Sequence, residues 1–80
     1  MTREQKIHWL ENVVFENGGK YELGKIMPMS YGDTKYDTAS SLACYMGEPL
    51  MVYLDLAGKN VPITEITDDG VDVLFHEVFS

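Results

Sequence analysis

Three groupings of residues in this sequence have the types that chemistry needs. The acidic tail places Glu65, Thr67, Asp69, Gly70 and His76 at positions 1, 3, 5, 6 and 12 of a calcium-loop template. Such a loop closes on a bidentate carboxylate at its last position, and here that position is His76, with Glu77 one place too late. The first position is Glu65 where the template wants aspartate, so calcium binding is not expected. His76-Glu77 also matches the opening of a HExxH zinc helix, but the second histidine position is occupied by Ser80. No metal ligand set is assigned.

The third grouping is Cys44 with His8 or His76, because a thiol and an imidazole brought together by folding can make a nucleophile and its base. That chemistry also needs an orienting group and an oxyanion site within a pocket. Cys44 stands among Leu42, Ala43, Tyr45 and Met46, the setting of a buried or half-buried structural cysteine. Glycine-rich phosphate loops and a serine-centred elbow are missing from the sequence. No catalytic residue and no cofactor is therefore assigned, and the expectation is a protein that is not an enzyme.

Binding is more legible than catalysis. The segment PMSYGDTKYDT and the residue before it carry Met27, Met29, Tyr31 and Tyr36 among turn-forming Pro28, Gly32 and Asp33. The spacing predicts a loop furnished with large, adaptable side chains, the residue types enriched where proteins meet partners. These four are the candidate binding residues. The competing reading is that they fold back over a core too small to cover itself.

Charge narrows the partner. The net charge is −7. Residues 1–59 hold all six bases against eight acids, whereas residues 60–80 hold Glu65, Asp68, Asp69, Asp72 and Glu77 without a base. Nucleic acid and anionic membrane would be repelled, since both are held through lysine and arginine. The single cysteine leaves no internal disulfide, which suits a reducing cytoplasm. Glu4, Lys6 and Glu11 interrupt the apolar residues of the N-terminus, so neither a secretory segment nor a membrane span is expected.

The elements that must position these residues follow from pattern. Thr2 and Gln5 have capping-box spacing, Glu4 suits the first turn, and Asn17-Gly18-Gly19 is a stop signal, predicting a helix over 3–16. Ile7, Leu10, Val13 and Val14, with Trp9 beside them, form its apolar stripe. Antiparallel strands are predicted over about 20–27, 41–46, 50–56 and 61–65. Gly47-Glu48 suggests a two-residue type II′ hairpin, AGKN at 57–60 a second turn, and Pro62 a strand start or sheet edge.

The last segment supports two readings. Asp69-Gly70 could be the type I′ turn of a hairpin. The favoured reading is a helix with Thr67 as N-cap, Asp68 and Asp69 in the first turn, Ile66 stapled to Val71, and Val71, Leu74, Phe75 and Val78 as its stripe. Gly70 would then have negative φ, and alanine there should be neutral or stabilising.

At 80 residues, 45% hydrophobic and 24% charged, the chain can fold as one domain over 1–80 with a single small core. The expected class is α+β: an N-terminal helix packed on a small antiparallel sheet, with a C-terminal helix. The expected function is a small acidic cytoplasmic protein, monomer or small homo-oligomer. It would be a non-enzymatic interaction or accessory module that meets a protein partner through an acidic surface bearing tyrosine and methionine. Mimicry of nucleic-acid charge is a minor version of that role, diluted by the six basic residues. The alternative is a small-molecule-binding domain or a small hydrolase built on Cys44 and a histidine.

Overall fold

Thr2 begins the first helix. Its hydroxyl accepts a hydrogen bond from the Gln5 backbone N–H at 3.1 Å, and the Gln5 side chain accepts one from the Thr2 N–H at 2.8 Å, completing the capping box. Helix α1 spans Arg3–Glu16 and closes at Gly18 and Gly19, both with positive φ. Gly19 donates back to the Val14 carbonyl, so the stop read from the sequence has a physical basis in backbone that only glycine adopts easily. The computed structural model describes residues 1–33 and 35–80; Thr34, in the segment expected as a loop, lies outside them.

The chain is α+β, with α1 followed by a four-stranded antiparallel sheet in the order β1-β2-β3-β4 and then a C-terminal helix. The strands are β1 Lys20–Tyr31, β2 Lys35–Ala43, β3 Met51–Leu54 and β4 Lys59–Pro62; a 3₁₀ turn, Ile63–Glu65, leads into α2, Asp68–Phe79. Leu10, Val14, Leu23, Met29, Ala39, Leu42, Val52, Leu54, Ile63, Ile66, Val71 and Leu74 belong to one buried cluster, with residues from both helices and the sheet. Leu10 and Val14 are fully buried, as their stripe predicts, while Trp9 stays half exposed and meets Phe79 edge-on at 6.3 Å.

The predicted middle loop is a correction. Pro28 to Tyr31 continue β1 and residues 35–38 begin β2, with Met29 opposite Asp37 and Tyr31 opposite Lys35. Pro28 is tolerated because β1 is an edge. The outer edge is where the Ser30 carbonyl accepts from the Thr67 N–H and the Gly32 N–H donates to Glu65, so by alternation Pro28 also turns its missing N–H outward. Those two bonds bracket an isolated bridge between Tyr31 and Ile66, and they cover part of an edge that would otherwise be open. Between Glu22 and Met27 the register shifts, with Gly24 at positive φ.

Two other boundaries differ. Strand β2 ends at Ala43, so the link to β3 is not a two-residue hairpin; Glu48 N–H bonds the Tyr45 carbonyl in a turn within residues 44–50, with Gly47 at positive φ. The predicted 61–65 strand is instead the end of β4 followed by the 3₁₀ turn.

The tail is the helix, not the hairpin. Thr67 caps it by accepting from the Gly70 N–H at 3.2 Å, and its hydroxyl also pairs with that of Ser30 at 2.6 Å. Gly70 lies in the helix as expected, but the expected ease of placing alanine there does not hold. Its φ is not positive, yet a Cβ built there would lie 2.5 Å from Ile66 Cγ2, 2.8 Å from Met29 Sδ and 3.3 Å from the Ser30 carbonyl. A side chain at Gly70 would force Ile66 and Met29 to shift where the start of α2 packs on β1.

Charged side chains join the two helices. Arg3 meets Asp68 at 2.8 Å and also donates to the carbonyls of Ile63, Thr64 and Ile66, tying the start of α1 to the 3₁₀ turn. Lys6 meets Asp72 at 2.6 Å, and Lys25 of β1 meets Glu77 at 3.4 Å. Three of the five tail acids, Asp68, Asp72 and Glu77, thus find bases from the first part of the chain. Among the described residues no helix is long and apolar enough to cross a membrane.

Candidate functional site

Strand alternation separates the four candidate binding residues. Met27, Met29 and Tyr31 share the core-facing side of β1; Met29 is only 2% exposed, and Met27 and Tyr31 are half-buried against the core. Tyr36 lies opposite Ser30 on the other side and is 65% exposed. It borders a shallow depression of about 170 Å³ with Pro28, Ser30, Asp69 and Val73, where β1 meets α2. Lys35 Nζ stands 5.8 Å from the centre of the Tyr31 ring. Of the four, Tyr36 offers the most surface, and Met29 is a core residue.

Of the tail acids, Asp68, Asp72 and Glu77 stand on α2 and are held by ion pairs. From Asp68 onward the chain is helical, so the positions of the calcium template are strung along α2 instead of wrapping a point. Among the described residues no three potential metal ligands cluster. His8 stands beside Asn12 at 3.5 Å and His76 beside Ser80 at 3.0 Å, each within its own helix and exposed.

Asp37 is the buried acid that the sequence does not flag. It is 1% exposed, and its carboxylate accepts from the backbone N–H groups of Thr38 at 2.6 Å, Leu56 at 2.7 Å and Ala57 at 2.9 Å. Burial alone would raise its pKa, but the three donors more than offset that and hold the carboxyl below its ordinary value. Its work is to fix the β3–β4 turn. Beside it Asp55 accepts from the hydroxyls of Thr38 at 3.0 Å and Ser40 at 2.7 Å. Both acids have their oxygens engaged, an arrangement suited to structure rather than proton transfer.

A second surface gathers what the sequence left scattered. Phe15 at the end of α1 is 77% exposed, and Tyr45 and Met46, just past β2, are 53% and fully exposed. With Gly18, Gly19 and half-buried Cys44 they line a groove of about 480 Å³. The glycine stop of α1 forms one wall because it turns the chain sharply back into β1, and Gly19 accepts a hydrogen bond from the Cys44 N–H. Burial first, then the negative charge of Glu11, push the Cys44 thiol above its ordinary pKa. The thiol is therefore kept protonated and weakly nucleophilic.

One signal of this groove was readable. Phe15 is a large apolar residue on α1 displaced from the Ile7-Leu10-Val14 stripe, hence on the wrong face for the core. Its neighbours Cys44, Tyr45 and Met46 could not be joined to it, because the predicted strand 41–46 ran through them. Comparison with models of known families, with curated proteins and with solved structures matches none of them. What the site can do must come from its own geometry.

Proposed function

We propose that this protein is a non-enzymatic interaction module that receives a protein partner at the groove lined by Phe15, Cys44, Tyr45 and Met46. The observation that carries the proposal is the exposure of three large apolar side chains at the rim of one groove. Such residues lose apolar area from water only when something covers them. Methionine and tyrosine supply adaptable contact, with Phe15 at the end of α1 and Tyr45 and Met46 in the loop after β2. A reducing, cytoplasmic setting suits the single free thiol.

The test is capture from lysate of the native cell with the intact chain and with Phe15→Ser/Met46→Ser. A partner lost with the double variant, while urea unfolding stays unchanged, supports the role; equal capture by both chains removes it. A second reading, a small-molecule site, draws on the groove volume, which falls within the usual range of ligand pockets. It predicts a thermal shift with small apolar ligands that Met46→Ser abolishes. For a Cys/His hydrolase the support is weaker, because the thiol pKa is raised and both histidines have neighbours within their own helices.

A further inference from the structure

Resting on the interaction role proposed above, we infer that the groove takes a short, positively charged segment of a partner protein: one or two large apolar side chains inserted between Phe15 and Met46, flanked by lysine or arginine. Size argues for a segment instead of a folded face. A stable contact between globular surfaces covers about 800 Å² per partner, roughly a sixth of the 4883 Å² that this chain exposes, and the apolar rim comprises only three side chains. A groove of about 480 Å³ accommodates one or two bulky side chains.

In the sequence beside the groove acids outnumber bases, with Glu11, Glu16 and Glu48 against Lys20. Glu11 is near enough to act on the Cys44 thiol at its floor, Glu16 follows Phe15 in the last turn of α1, and Glu48 closes the turn that begins at Tyr45. The last turn of α1 contains no base, so the negative end of its dipole adds to these carboxylates. Lys20, the base nearest in sequence to the groove's glycines, is engaged with Glu22 at 3.5 Å. A second copy of this chain would bring the same acidic rim and a net charge of −7 against it, and an anionic bilayer would be repelled likewise. A Lys/Arg-flanked apolar anchor complements both features of the rim.

The test uses an array of short fluorescein-labelled peptides. One set has leucine, phenylalanine or methionine anchors among lysines and arginines; a second has the same anchors among glutamates; a third keeps the basic residues and replaces the anchors by serine. The first set is expected to bind roughly tenfold or more tighter than the others, with affinity falling as salt rises. Phe15→Ser and Met46→Ser should each weaken it by about tenfold, and Glu16→Lys/Glu48→Lys should weaken the basic set while sparing the glutamate set. Bound peptide should slow alkylation of Cys44 by iodoacetamide. These side chains are exposed, so each variant is checked for unchanged urea unfolding.

Four results would overturn the inference: no binder in the basic set, equal binding of basic and glutamate sets, indifference to Glu16→Lys/Glu48→Lys, or undiminished Cys44 alkylation in the complex. Failure of the broader role is seen separately. If a photocrosslinker at position 46 captures a cellular protein through an acidic or uncharged segment, the interaction role stands and the basic partner is wrong. If groove-dependent capture is absent altogether, both fall.

Discussion

Replacing Gly70 by alanine sets two opposing effects against each other at one atom. In an ordinary helix the change stabilises by about 0.8–1 kcal/mol, because glycine has the poorer helix propensity. Here the new methyl would meet Ile66 Cγ2 at 2.5 Å, Met29 Sδ at 2.8 Å and the Ser30 carbonyl at 3.3 Å. Cγ2 is fixed to a β-branched carbon and has no rotamer that simply withdraws it from a buried site, and Met29 is enclosed by the core. Overpacking costs about 1–3 kcal/mol, and three neighbours on three different residues put this site toward the upper end. The net expectation is a loss of about 1–2 kcal/mol, each kcal/mol lowering the melting temperature by about 4–8 °C in a domain of this size.

The assay is urea unfolding followed by far-ultraviolet circular dichroism, with the slope compared between chains. Ile66→Leu moves the branch away from Cβ, so Gly70→Ala should cost less in that background by at least about 0.5 kcal/mol, a coupling readable from the double-mutant cycle. A Gly70→Ala chain as stable as the original, or more stable, with an unchanged slope would refute the close-approach account.

Leu10→Ala should cost about 2–5 kcal/mol because the side chain is fully buried, whereas Asn12→Ala, exposed on the same helix, should be close to neutral in the same assay. Thr67→Ala removes both the cap to Gly70 and the pairing with Ser30, so a loss of about 1–2 kcal/mol is expected and Thr67→Ser should restore most of it. Asp37 has a folded pKa below its unfolded value; its stabilisation is therefore complete above the unfolded pKa and lost as pH falls through the lower, folded one. The stability gap between the native chain and Asp37→Asn should be constant near neutrality and shrink below about pH 4; a gap that persists unchanged down to acid unfolding would contradict it.

How far the sequence could be read depended on where each element's reasons lie. Helix α1 was legible to the residue, because capping box, stripe and glycine stop are local and agree. The hairpin of β1 and β2 was not. Pro28, Gly32 and Asp33 are turn signals on their own, and only the outward direction of Pro28 on an edge strand reconciles it with pairing. Of the residues read as a candidate site, Met29 went to the core and Tyr36 to the surface, while Tyr45 and Met46, taken as strand, came out onto the surface beside Phe15.

Composition, charge and the N-cap signals of both helices belong to the chain itself, since they depend on residues a few positions apart and on totals that folding does not change. Together with the strand patterns and turn signals, they give the α+β class. Tertiary structure alone decided that a Cβ at Gly70 would crowd its neighbours, that Asp37 holds the turn after β3, and that Phe15 shares a groove with Cys44 and Met46. Each of these depends on residues 19 to 41 positions apart along the chain meeting across a contact between elements. The free energy of such a contact comes from distances of a few ångströms that no local pattern encodes.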